Sequence, residues 1–309
     1  MNRKLAPAMP QSSIPTTASL QLPAPAKLNL LLRVLGRRAD GYHQLQTLFQ
    51  LLDYGDTLEF FTRDDDKISI DAGDLDIPLE NNLIYRAARA LQRHCNCARG
   101  AHIKLHKVLP QGGGIGGGSS DAATTLLGLN YLWQCALSAE RLAQLGGELG
   151  ADVPVFIHGH TAWAEGVGEV LTPVITPGRH FLVVDPRHSV STAAVFRHPQ
   201  LTRDSAAITL PHLRNGHLDT NWLRRYAGND CQALVESLCP QVRSAREWLQ
   251  QFAEAQLTGT GSCVFAAFAS RRAAESALAE LPEKWGGFVA TGVRESPLHQ
   301  KLAKLAATT

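Results

Sequence analysis

Residues 110–121 read Pro-Gln-Gly-Gly-Gly-Ile-Gly-Gly-Gly-Ser-Ser-Asp, with six glycines in seven positions. An alternating run, Ala101 to Leu109, leads into them and reads as a strand. A helical pattern leads out through Ala122, Ala123, Leu126, Leu127, Leu129 and Trp133. A strand therefore runs into a glycine loop that opens onto a helix N-terminus. Glycine lets the backbone reverse and come close to a ligand. The first N–H groups of a helix have no partner inside it, and the helix dipole adds positive potential there. Such a construction binds phosphate. A flexible linker is the bland alternative, but linkers do not usually join a strand to a helix with hydroxyl residues at the cap.

Two phosphate-loop templates fit poorly. Gly112 to Gly117 matches G-x-G-x-x-G, but a dinucleotide fold needs a second parallel strand ending in an acid about 20 residues on. A second helical pattern, Ser138 to Leu149, stands there instead. The Walker pattern needs Lys and then Ser/Thr after its last glycine. Gly118 and Ser119 occupy those places, so the loop must borrow its cation. Lys27, near the start of a buried strand from Ala26 to Leu35, is a candidate. An acid, Asp152, lies in a turn after the second helix and before an apolar run, Val153 to Ile157, that reads as a strand. By itself Asp152 is explained better by a cap or turn than by catalysis.

The chain has 309 residues, 19% of them charged, and a net charge of +2. That length suits two ordinary domains. Nothing marks a nucleic-acid footprint, and no apolar run approaches a membrane span. The six cysteines are scattered and read as reduced thiols of a cytoplasmic protein rather than a zinc site. Residues 1–22, rich in Pro, Ser, Thr and Ala, read as a disordered tail. A composition break at Pro173 to Gly178 puts a domain boundary there, giving an N-terminal domain over 23–176 and a C-terminal one over 177–309.

The remaining elements follow from periodicity. Thr47 to Leu52 and Thr57 to Phe61 read as strands separated by a turn at Asp53 to Asp56. Asn81 or Asn82 caps a helix. Thr161 to Ala164 and Glu169 to Leu171 form a hairpin. In the second half, strand Phe181 to Asp185 precedes a short helix from Ser191. Helices over Asp230 to Leu238 and Gln241 to Ala253 are broken by Pro240. A hairpin over Ala255 to Phe268, a helix from Arg271 and a strand from Gly287 to Thr291 close the chain. The reading is α+β with an antiparallel sheet in the second half.

Three stretches in order carry a resemblance: Ala24-Pro25-Ala26-Lys27-Leu28-Asn29-Leu30, the glycine loop, and Leu257-Thr258-Gly259-Thr260-Gly261-Ser262-Cys263. They resemble motifs 1, 2 and 3 of the GHMP kinase superfamily. Arg38-Ala39-Asp40-Gly41-Tyr42-His43 and Gly150 to Phe156 narrow the resemblance to the 4-diphosphocytidyl-2-C-methyl-D-erythritol kinase family. The resemblance implies a two-domain GHMP kinase fold with a left-handed βαβ unit, and transfer of the γ-phosphoryl of ATP to a 2-hydroxyl. It assigns catalysis to Lys27 and Asp152. ATP falls to Pro110, Gln111, Gly112, Gly113, Gly114, Ile115, Gly116, Gly117, Gly118, Ser119, Ser120 and Asn82. The substrate falls to Asn29, Tyr42, His43, Asp152, Thr192 and Phe196, with Tyr42, His43 and Phe196 on the cytosine. A flat base suits an aromatic face, and a histidine can offer its edge a donor or an acceptor. Mg²⁺ accompanies ATP with no protein ligand assigned, no partner beyond the small-molecule substrate is implied, and the protein is a monomer or homodimer. Asp121 stands where some relatives have Asn, adding charge near the phosphates. The rivals are another small-molecule GHMP kinase and a non-catalytic nucleotide-binding module.

Overall fold

The computed structural model describes residues 19–308 except 74 and 76. Residues 1–18, most of the tail inferred from composition, lie outside it. Strand β1 (Leu20–Arg37) begins within the remainder of that tail. Its alternation Leu20, Leu22, Ala24 is buried, so packing against the neighbouring strand orders it. That neighbour, β2 (His43–Arg63), runs antiparallel from Arg37↔His43 to Leu20↔Phe60. The sequence suggested two strands and a turn at Asp53 to Asp56, but β2 is continuous. Its register slips beside Pro25 and Lys27, so the polar residues there mark a bulge, not a reversal.

Next come β3 (Ile68–Asp71), helix α1 (Leu83–His94) and β4 (Gly100–His106). β3 and β4 are parallel neighbours, making a βαβ unit, and β4 pairs with β2. Asn82 caps α1 by accepting from the Ile84 N–H at 2.9 Å. Helix α2 (Gly117–Leu132) leaves the glycine loop and α3 (Ala139–Leu149) follows, its first turn capped by Ser138. α1, α2 and α3 cover one face of the sheet and share a core with Phe49, Phe60, Ile103 and Leu126.

Val153–His158 is a six-residue helix, α4, where a strand was expected. A short apolar run buried on all sides shows no alternation, so periodicity alone does not separate helix from strand. Pro154 in the first turn fits the helix start, and Gly159 (φ 70°) closes it. The hairpin β5 (Ala162–Glu165) and β6 (Val170–Pro173) then pairs with β2.

The second half contributes β7 (His180–Asp185), α5 (Thr192–Arg197), α6 (Thr220–Tyr226) and β8 (Gly228–Asn229). α7 (Gln232–Leu238), α8 (Pro240–Leu249), β9 (Ala255–Leu257), β10 (Val264–Phe268) and α9 (Arg271–Ala279) follow. β7 lies between β10 and β11 (Gly286–Val293), all antiparallel. β11 also pairs with β2 through Gly292↔Leu52 and Val293↔Leu51, joining the two halves into one sheet. A last helix, α10 (Pro297–Ala306), was missed in the sequence. Its Leu298 is buried in the first-half core. A third core, with Leu28, Leu31, Leu48, Ile115, Phe181 and Cys263, lies beneath the glycine loop.

Candidate active site

The three motif stretches meet. Lys27 is 2% exposed, and its ammonium is 3.1 Å from Asp152 Oδ2. It also donates to Asn29 Oδ1 at 2.6 Å and to the Gly114 carbonyl at 3.1 Å. An ammonium has three N–H groups, so all three are matched, and Phe49 lies beneath with its ring centre 5.3 Å away. Burying an unpaired ammonium costs several kcal/mol; the two oxygens and the carboxylate offset that cost. Lys27 and Asn29, two apart on a strand, share a face. The Asn29 side chain is fixed in turn, its Nδ2 donating to Thr47 Oγ1 at 2.8 Å.

Motif 3 braces the loop. Thr258 Oγ1 accepts from the Asn29 N–H at 3.0 Å and donates to the Gly114 carbonyl at 3.3 Å. The backbone N–H groups of Ser262 and Cys263 donate to the carbonyls of Gly112 and Gly113 at 3.2 and 3.0 Å. Gly114 and Gly116 have φ of 73° and 75°, a region that favours glycine. A Cβ on Gly114 would fall 2.2 Å from the Thr258 carbonyl oxygen, and one on Gly116 2.8 Å from Phe156 Cζ. These two glycines are required by the protein's own packing. The room for a ligand lies further on, where a Cβ on Gly118 would meet only Leu83 Cδ1 at 3.5 Å.

Two cavities flank this junction. One, of about 460 Å³, is lined by residues 110–119, Asn82, Lys107, Asp121 and an apolar wall of Leu75, Ile77 and Leu83. The other, of about 740 Å³, is lined by Lys27, Asn29, Tyr42, His43, Phe196, Arg37 and Arg197 among others. Gly114, Ser119, Asp152 and Thr192 line both. Of the residues assigned to catalysis, ATP or substrate, only Ser120 lines neither; its hydroxyl is buried and unpartnered. Thr192 Oγ1 lies 2.8 Å from Thr260 Oγ1, tying α5 to motif 3. Tyr42 is 62% exposed at the rim. His43 is buried and lies against Phe196, ring centres 5.0 Å apart. Burial first, and then Arg203 and Arg37, hold the His43 imidazole below its ordinary pKa, so it is neutral near pH 7.

Residues 82–160 match the GHMP kinases N terminal domain and residues 212–287 the GHMP kinases C terminal domain. A 4-diphosphocytidyl-2-C-methyl-D-erythritol kinase of Pseudomonas syringae pv. syringae is 54% identical over 287 residues, covering 93% of this chain and 99% of its own. The chain belongs to the 4-diphosphocytidyl-2-C-methyl-D-erythritol kinase family of GHMP kinases. It is a small-molecule kinase. A relative of the same description from Pseudomonas putida is 53% identical over 287 residues, covering 93% and 97%. A crystal structure of 4-(cytidine 5'-diphospho)-2C-methyl-D-erythritol kinase superposes with a TM-score of 0.75 at 31% identity, covering 89% of this chain and all of that one. The mevalonate kinase of Methanococcus jannaschii, TM-score 0.63 at 16% identity, covers 90% of this chain and all of its own and shares the fold. Among the described residues no helix is long and apolar enough to cross a membrane.

Besides Arg37 and Arg197 in the lining of the larger cavity, sequence reasoning missed Lys107 and Arg203. Lys107 Nζ lies 3.0 Å from the place a Cβ would take on Gly117, under the loop, and bridges Asp56 (2.6 Å) and Asp121 (3.0 Å). Its position three residues before Pro110, at a strand end, was the available signal. Arg203, beside His43, comes from an irregular stretch with none.

Proposed function

We propose that this chain transfers the γ-phosphoryl group of ATP to the 2-hydroxyl of 4-diphosphocytidyl-2-C-methyl-D-erythritol, a step of the non-mevalonate route to isoprenoid precursors, in the cytoplasm. The observation that carries the reading is the junction: two cavities that share Asp152, with Lys27 paired to it. ATP takes the smaller cavity, its base against the apolar wall beside Asn82 and its phosphates over Gly117, Gly118 and Ser119. The larger cavity takes the cytidine diphosphate ester, its base near Tyr42, His43 and Phe196.

Phosphoryl transfer passes through a loose transition state, so catalysis is mostly positioning and charge stabilisation. The 2-hydroxyl oxygen bonds to the γ-phosphorus as the bond from that phosphorus to the bridging oxygen breaks, leaving ADP. Asp152 orients the hydroxyl and takes its proton late, since a carboxylate is a weak base for an alcohol. Lys27 holds the Asp152 carboxylate in place, and its charge offsets charge developing on the transferred group. Magnesium, when bound, neutralises phosphate charge. The side chains here fit an ion carried mainly on the triphosphate, because both nearby carboxylates already face lysines. Ser119 and Asp152 are the side chains that would face it.

The test is turnover with ATP across a panel of alcohols: the cytidine diphosphate ester, mevalonate and homoserine. The ester should be preferred by orders of magnitude in kcat/KM. Preference for either of the others would refute the substrate, and nucleotide binding without turnover of any would refute the kinase reading.

A further inference from the structure

Arg203 grips the residues proposed to hold the base. Its Nε donates to His43 Nε2 at 3.0 Å. One terminal nitrogen donates to the Phe196 carbonyl at 2.8 Å and to the His198 carbonyl at 2.7 Å, and the other to the Leu201 carbonyl at 3.2 Å. The guanidinium thus pins the backbone that carries Phe196 and, through the imidazole, the ring that Phe196 packs on.

A guanidinium only donates hydrogen bonds. His43 Nε2 therefore accepts, and a neutral imidazole that accepts at Nε2 carries its hydrogen on Nδ1. With Nε2 occupied, Nδ1–H is what the ring can offer to a ligand in the cavity it lines. We infer that Arg203 is a positioning residue that locks His43 as the Nδ1–H tautomer and so makes the site select cytosine over uracil. Cytosine presents acceptors at ring N3 and at O2. Uracil keeps the O2 acceptor but presents an N–H at N3, so a His43 Nδ1–H set on N3 would face a donor there, and two donors face to face leave both unpaired in a desolvated site. Sites built around one such hydrogen bond discriminate far more strongly than sites that sense shape alone. The inference rests on the substrate proposed above.

The experiment uses the full chain, labelled with ¹⁵N-histidine, together with the substrate and its uridine counterpart. In the wild type the His43 spectrum should show hydrogen on Nδ1. Arg203→Met should release the ring toward the Nε2–H form that free imidazole favours. The cytidine-over-uridine ratio of kcat/KM should then fall by about tenfold or more, mostly through KM for the cytidine substrate, with KM for ATP unchanged. Arg203→Lys supplies a single donor to Nε2 and should keep the tautomer and part of the selectivity. A wild-type ring protonated on Nε2 overturns the inference whatever the variants do. So does an Arg203→Met enzyme that keeps the tautomer or the selectivity. Should Arg203→Met fail to fold, the wild-type spectrum and Arg203→Lys decide. Absence of wild-type turnover of the cytidine ester overturns the substrate itself and the base selection with it, a result separate from a wrong tautomer in an active enzyme.

Discussion

Replacing Asp121 with Asn removes a carboxyl that the fold holds with difficulty. Asp121 is 3% exposed in the second turn of α2, its Oδ2 3.0 Å from Lys107 and its Oδ1 without a partner. Lys107 also serves Asp56 at 2.6 Å, which in addition accepts the N–H groups of Val108 and Leu109 at 2.7 and 2.8 Å. One ammonium balances one carboxylate, and Asp56 has the better set of donors. Asp121 is therefore the group that protonates. Burial lifts its pKa from 3.8 to about 7, with Lys107 opposing and the charge of Asp56 adding to the lift. Between those two values the folded state keeps a proton that the unfolded chain has lost. Stability consequently falls as pH rises through this window and levels off above it. The gap corresponds to on the order of 4 kcal/mol. The amide introduced by Asp121→Asn has nothing to titrate, so the stability of that variant relative to wild type should grow between about pH 4 and 7 by kcal/mol rather than tenths. Urea unfolding of both proteins across that range measures the difference, and titrations common to both cancel. Because Asp121 also lines the proposed ATP cavity, wild-type ATP affinity should weaken from about pH 6 to 8 more than that of the variant. A stability difference that does not change with pH would refute the argument.

Asp152→Asn should lower kcat by orders of magnitude with both substrate dissociation constants nearly intact; retention of more than about a tenth of wild-type kcat makes Asp152 a turn residue. Lys27→Ala should lower kcat as well, and the double variant should be little worse than the worse single one, as steady-state kinetics on all three will show. Gly118→Val puts a branched side chain into the open face of the loop and should weaken ATP binding by calorimetry while thermal stability is kept. Gly116→Val meets Phe156 and Lys27 Cγ instead and should lower the melting temperature as well. Tyr42→Ala should raise KM for the cytidine substrate, and not for ATP, by an amount equivalent to about 1–3 kcal/mol of lost stacking.

The strand–loop–helix order was legible because it is local: a strand, six glycines and a helix start are adjacent in the chain, although α2 begins at Gly117, inside the glycine run and ahead of the hydroxyl-capped start read from the sequence. The antiparallel second half was legible too, since β7, β9, β10 and β11 are short, largely apolar runs bounded by turns. What escaped the sequence is tertiary. Asp53 to Asp56 has turn composition, yet pairing with β1 on one side and β11 on the other keeps β2 extended through it. Val153 to Ile157 is apolar on every side, because α4 is packed on every side. α10 is amphipathic but follows a strand that looked terminal, and its burial depends on a core built by the other end of the chain. Arg203 reaches His43 across 160 residues, a distance over which local pattern carries no information.

The separation of the motifs along the chain also explains why each is weak evidence alone and why together they are strong. The Gly114 carbonyl is the node between them, accepting from Lys27 of motif 1 and Thr258 of motif 3 while belonging to motif 2. A lysine beside Pro25, a threonine in a hairpin turn or a glycine run each has an ordinary structural explanation. Their convergence on one oxygen does not, because it places a buried cation beside a carboxylate at the mouth of two cavities. The double acceptance has a further consequence. If the ammonium turns toward a phosphoryl oxygen it gives up the Gly114 carbonyl, and that carbonyl still has the Thr258 hydroxyl, whose one hydrogen is shared between it (3.3 Å) and Asn29 Oδ1 (3.4 Å). The N–H groups of Ser262 and Cys263 hold the preceding two carbonyls. In the proposed reaction Lys27 would redirect its charge while the loop keeps its shape, as a preorganised phosphate cradle requires.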